Sequence, residues 1–173
     1  MTNIIEVNDL TKRYKNADTN AVDGITFNVK AGDFFSLLGP NGAGKTTTIS
    51  ILTTTLNLTS GSANVAGYDL QKEPSQVRKN IGIIFQKPSL DSNLTAEENV
   101  RFHTILYGLY SYRPAFSMMP NAYKKQVHEF SELLGIGEDI FKPIKTFSGG
   151  MKRKLEIMRS LMHNPKVLFL DCW

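Results

Sequence analysis

From Ile25 to Val29 apolar and polar residues alternate, with Ile25, Phe27 and Val29 on one face and Thr26 and Asn28 on the other. A period of two predicts a half-buried strand of an antiparallel sheet. Three other apolar runs do not alternate: Phe34 to Leu38, Ile81 to Phe85 and Val167 to Leu170. Such runs are expected of strands covered on both faces in a parallel sheet. A polar or glycine residue follows each run at once. Ligands of open α/β sheets gather at these carboxyl ends, which makes Gly39 onward, Gln86 and Asp171 candidates for one shared site.

Helical patterns fill the intervals. One runs from Lys45 through Leu52, directly out of a glycine-rich loop. Another starts near Thr95, where Thr95 and Glu98 have capping-box spacing. A third carries Val127, Phe130, Leu133 and Leu134 on one stripe and stops at Gly135. The last starts at Ser148 and sets Met151, Leu155, Met158 and Met162 on one face, until His163-Asn164-Pro165 ends it. Residues 91–144 therefore read as a helical insertion, with a loop from Tyr110 to Pro120, where two prolines interrupt a weak period.

At 173 residues, 41% hydrophobic and 21% charged, the chain suits one globular domain. Its net charge of +4, from 20 basic and 16 acidic residues, is spread without a block of one sign and gives no argument for a nucleic-acid partner. Cys172 is the lone cysteine, so neither an intrachain disulfide nor a cysteine metal cluster is available, and a reducing compartment fits. No apolar run approaches the roughly 20 residues that span a bilayer, and the first residues lack a basic and apolar leader. The expectation is a cytoplasmic chain whose contact with a membrane requires a partner.

Gly39-Pro40-Asn41-Gly42-Ala43-Gly44-Lys45-Thr46 has the spacing GxxxxGK[ST]. Its glycines allow consecutive backbone N–H groups to turn inward around an anion, where side chains would block the approach. Lys45 brings a point charge to the β and γ phosphates, Thr46 offers a hydroxyl to Mg²⁺, and the following helix points its N-terminal dipole at the phosphates. A nucleotide triphosphate with magnesium is the ligand this chemistry fits.

Phe147-Ser148-Gly149-Gly150-Met151-Lys152-Arg153 forms a second hydroxyl and glycine pair at a helix start, again an anion-type arrangement. It stands shortly before the apolar strand that ends in Asp171. Together with the phosphate loop, these residues resemble the ATP-binding cassette (ABC) transporter ATP-binding subunits, nearly end to end from Ile4-Ile5-Glu6-Val7 to Asp171. The resemblance implies an α/β fold: a P-loop NTPase with a RecA-like parallel sheet core, a small antiparallel β lobe and an α-helical insertion lobe of about 91–144. It implies ATP held by Gly39 to Thr47, with Tyr14 stacking on adenine. Ser148, Gly149 and Gly150 would serve as the signature that meets a partner's ATP. Mg²⁺ would be held by Thr46, Gln86 of the Q-loop, and Asp171 of the Walker B strand. The implied partners are a second ATP-binding subunit in a head-to-tail dimer and an integral-membrane permease, which would place the chain on the inner face of the cell membrane. Met151 after the glycines, with the loop sequence through Thr48, is most similar to the drug-export branch associated with daunorubicin-type resistance and ABC-2 exporters.

The resemblance breaks at Cys172. The family has there a glutamate that polarises the attacking water; a thiol is largely protonated at neutral pH and lacks a second oxygen. His103, His128 and His163 all precede Asp171, so none matches the family's switch histidine, and all three read as surface or packing residues. In the family the strand after Walker B lies between the phosphate-loop and Walker B strands, so its loss would open the centre of the sheet. These departures make a truncated or frameshifted gene product the expectation. Two functions of different class follow: an ATPase subunit powering export, or a nucleotide-binding remnant without turnover. A soluble ABC ATPase without a transport role is a further alternative, though neither tandem cassettes nor a zinc-finger insertion supports it.

Overall fold

The computed structural model describes residues 2–85 and 89–170. The chain divides into two compact units, residues 1–83 with 166–171, and residues 84–165.

The first unit is built on an antiparallel sheet in the order β2-β1-β3-β4. Its strands are β1 (Asn3–Lys12), β2 (Val22–Lys30), β3 (Ser60–Val65) and β4 (Tyr68–Asp69). In β2 the alternation seen in the sequence holds, with Val29 buried, Ile25 and Phe27 half-buried, and Thr26 and Asn28 exposed. β1 occupies the centre, and its Ile5, Val7 and Leu10 are all buried. A strict period of two would turn Leu10 away from Val7. The register shifts between Val7 and Leu10, where Asp9 takes a φ of 48°, and this bulge restores Leu10 to the core. Gly61 of β3 packs against the bulge: at its φ of 88° a Cβ would lie 2.2 Å from the Asp9 carbonyl oxygen. The sheet's apolar face, the buried Ile51 and Leu52 of α1 (Lys45–Leu52) and Val77 of α2 (Pro74–Asn80) belong to one core. The strands β1, β3 and β4 and the helix α2 had no counterpart among the sequence expectations, although Pro74 stands at a position that favours helix starts.

A second sheet pairs β5 (Ile81–Ile84) with β6 (Val167–Leu170). Both were expected. The parallel arrangement is the one a long crossover through the helices permits. Two corrections apply here. Phe34 to Leu38 was expected as a covered strand, yet it lies outside any strand, and Phe34 and Leu38 are each 91% exposed. An apolar run becomes a strand only when a neighbour completes its hydrogen-bond ladder, and β5 and β6 pair with each other instead. Phe35 of this run stacks on Phe27 with ring centroids 5.2 Å apart. In β6 only Phe169 is buried, whereas Leu168 and Leu170 are partly exposed, so the strand is not covered on both faces.

The second unit is helical, with α3 (Ala96–Leu106), α4 (Asn121–Leu133) and α5 (Gly149–Leu161). Its core joins Ala96 and Val100 of α3, Tyr123 and Val127 of α4, and Leu155 and Met158 of α5, with Met162 following. The stripe on α5 falls as its period predicts. On α4 the stripe holds for Val127, which is buried, and for Phe130 and Leu134, which pack against the core, but Leu133 is exposed, and Tyr123 and Ser131 are further buried positions. Gly135 has the left-handed φ of 63° anticipated for a helix end. α3 opens on the expected capping box, in which the Thr95 hydroxyl accepts from the Glu98 N–H and the Glu98 carboxylate accepts from the Thr95 N–H. Thr95→Ala should therefore lower stability by about 1 kcal/mol, measured as a shift in denaturant midpoint at unchanged slope.

Candidate functional site

Gly39 to Thr46 closes into a loop ahead of α1. Pro40 accepts from the Ala43 N–H at 3.2 Å, and the helix begins with Thr48 N–H donating to the Gly44 carbonyl at 2.8 Å. Gly44 is the N-cap at φ 79°, and a Cβ there would come within 2.3 Å of the Ala21 carbonyl oxygen. That position requires glycine on both counts. The Lys45 ammonium folds back across the loop and donates to the carbonyls of Gly39 and Pro40 at 2.6 and 2.7 Å.

These residues fit a polyphosphate. Gly44 makes no side-chain cap, so the first amides of α1 are left for an external acceptor, and no acidic residue stands in the first turn to repel an anion. By contrast, α3 has its N-terminus closed by the capping box. Thr46, one residue beyond Lys45, is exposed and offers the kind of hard oxygen that suits Mg²⁺. Gln86 and Asp171, the other two residues assigned to the metal, lie outside the described residues, as does Cys172. Among the described residues no group of three or more His, Cys, Asp or Glu is placed to hold a metal ion.

Tyr14 reaches the first turn of α1, its hydroxyl 3.3 Å from the Thr47 hydroxyl. Tyr14 is 46% exposed, with the Lys12 ammonium 5.5 Å from the ring centroid. A partly exposed aromatic face beside the phosphate loop is the placement that base stacking needs. Lys12 was not anticipated; its ammonium also donates to the Asn57 carbonyl, which fixes it near the ring.

In the second unit Ser148 is the N-cap of α5, its hydroxyl accepting from the Met151 N–H at 3.2 Å. Gly149 and Gly150 form the exposed first turn, without an acidic residue. A Cβ on Gly149 would meet nothing within 4 Å, so crowding inside the chain does not account for glycine there. Phe147 is buried in the helical core and anchors the segment. His103 and His163 pack with Tyr107, with centroid distances of 4.4 Å from His103 to Tyr107 and 4.3 Å from Tyr107 to His163, while His128 lies at the surface. No helix among the described residues is long and apolar enough to cross a membrane.

The protein family described as ABC transporter matches residues 22–172. The chain is 41% identical over 170 residues to the daunorubicin/doxorubicin resistance ATP-binding protein DrrA of Streptomyces peucetius, covering 98% of this chain and 48% of that protein. It is 39% identical over 168 residues to the linearmycin resistance ATP-binding protein LnrL of Bacillus subtilis, covering 97% and 50%. The chain thus spans about half the length of these curated relatives. Among solved structures, the dimeric post-hydrolysis state of the ATP-binding cassette MJ0796 bound to ADP and Pi matches with a TM-score of 0.78 and 27% identity, over 96% of this chain and 72% of that one.

Proposed function

The chain belongs to the ABC transporter family, and from that premise we propose that it is the ATP-binding part of a drug exporter, working with a separate membrane subunit. The observation that carries the reading is the phosphate loop, with its uncapped helix N-terminus, the left-handed Gly44 that no other residue could replace without a clash, and the Lys45 ammonium turned into the loop. The α1 amides and Lys45 bind the phosphates, and Tyr14 stacks on the base. Thr46, with Gln86 and Asp171, holds Mg²⁺, which when bound neutralises charge on the β and γ phosphates. Ser148, Gly149 and Gly150 present a hydroxyl, free glycine backbone and a helix dipole to the nucleotide of a second cassette in a head-to-tail dimer. Attachment to the permease puts the chain at the cytoplasmic face of the membrane.

A second reading is favoured by one residue. Cys172 follows Asp171 where the family's water-activating glutamate stands, so this chain binds ATP with little or no turnover. Titration calorimetry of the purified 173-residue chain with ATP, paired with a phosphate-release assay, tests both readings. The expected result is saturable ATP binding with phosphate release near background. Hydrolysis at rates typical of the family would refute the second reading, and absence of ATP binding would refute both.

A further inference from the structure

A lysine at the end of a strand is by default a solvated charge. Lys12, the last residue of β1, is instead half-buried and makes two contacts at once. Its ammonium donates to the Asn57 carbonyl at 2.6 Å and stands over the Tyr14 ring, 5.5 Å from the centroid. That separation is within the roughly 6 Å at which a cation and an aromatic face attract. The backbone on either side of the ring is tied as well. The Arg13 N–H donates to the Thr59 hydroxyl at 3.0 Å, and the Arg13 guanidinium donates to the Ala17 and Asp18 carbonyls at 2.8 and 3.1 Å. The Ala17 N–H closes a turn onto the Tyr14 carbonyl at 3.2 Å. At its far end the ring is tied to α1, the Tyr14 and Thr47 hydroxyls being 3.3 Å apart. All of these residues belong to the first unit.

We propose that Lys12 is a positioning residue for the nucleotide base: its ammonium, fixed by the Asn57 carbonyl, occupies one face of Tyr14 and so holds the ring with its other face toward the base. The proposal rests on the function given above, in which Tyr14 stacks on the base of ATP. The hydrogen bond to Thr47 does not by itself fix the plane of the ring, because a contact at the para position lets the ring turn about its own long axis, a torsion with broad minima. The ammonium over one face supplies the missing constraint. A ring already held loses little further conformational freedom when the base arrives, whereas a loose one must be ordered at the expense of affinity. Lys12 thus acts through Tyr14 and not on the phosphates. Its removal should weaken ligands that carry a base and leave tripolyphosphate, which has none, bound as before.

The test is made on the 173-residue chain with Lys12→Met, which keeps the apolar stem and removes the charge, with Lys12→Arg, which keeps a cation over the ring, and with Tyr14→Ala alone and combined with Lys12→Met. Affinities for Mg²⁺-ATP and for Mg²⁺-tripolyphosphate are measured by titration calorimetry. Lys12→Met should weaken ATP binding about two- to fivefold, the range of a cation on an aromatic face at a partly exposed site, with tripolyphosphate affinity unchanged. Lys12→Arg should bind ATP like the parent. In the Tyr14→Ala background Lys12→Met should have no further effect, because the ammonium then has no ring to hold. Lys12→Gln keeps a donor for the Asn57 carbonyl without the charge and serves the same comparison if Lys12→Met does not fold. Equal losses for ATP and tripolyphosphate would make Lys12 a phosphate-directed charge and overturn the proposal, as would unchanged ATP affinity in Lys12→Met or a full further loss in the double variant. Each of these results leaves the ATP-binding function intact. Parent-like ATP affinity in Tyr14→Ala would remove Tyr14 from the base site and the proposal with it, and failure of the unsubstituted chain to bind ATP would overturn the function as well.

Discussion

Lys45→Ala should weaken ATP binding about 100-fold, the loss expected when a charge-assisted hydrogen bond to phosphate worth about 1.5–3 kcal/mol is removed. The lysine sits within the phosphate loop, its ammonium on the carbonyls of Gly39 and Pro40, one residue after the left-handed N-cap Gly44. Lys45 is not part of the apolar core, so the melting temperature of the variant should stay close to that of the parent. Lys45→Arg keeps the charge but replaces a compact ammonium with a planar fork of different geometry, and it should recover only part of the affinity. Titration calorimetry on the three proteins checks this, and parent-like affinity in Lys45→Ala would remove the loop from the binding site.

The features legible in the sequence are those whose determinants are local. The α1 start follows from Gly44 and Lys45, the capping box from Thr95 and Glu98, and the α5 start from Ser148, each set by residues within one helical turn. The phosphate loop was legible for the same reason. Phe34 to Leu38 was misread because its composition reports a preference for burial, whereas strand formation depends on a partner elsewhere in the chain. Leu133 was misplaced on α4 by reading the helix's last residues, when the buried face is set by Tyr123 and Val127. The contact of Lys12 with the Asn57 carbonyl was illegible because nothing at position 12 identifies a partner 45 residues away.

Acid should destabilise the protein through His103 before its carboxylates respond. Burial, then the Arg159 guanidinium, then His163 pull the His103 pKa from 6.5 down to about 3. Its Nε2 is buried without a hydrogen-bond partner, so no acceptor rewards protonation. Between these two pKa values the unfolded chain takes up a proton that the folded chain refuses. The stability associated with neutral His103 is therefore complete above about pH 6.5 and declines as pH falls toward the folded value, at up to about 1.4 kcal/mol per pH unit. By about pH 4.5 the loss reaches roughly 2–3 kcal/mol. Glu98 and Asp69, whose pKa values are lowered by hydrogen bonds from Thr95 and from the Lys72 and Gln71 amides, lose their contributions only at lower pH. Glu97 works in the opposite sense, because burial raises its pKa and lets the folded chain take up a proton first. The difference between two proteins isolates the histidine. His103→Phe keeps a ring against Tyr107 and removes the titrating group. Its denaturation midpoint should match or exceed the parent's at neutral pH and fall less on acidification, and parallel curves for the two proteins between about pH 6.5 and 4.5 would show that His103 does not govern acid stability.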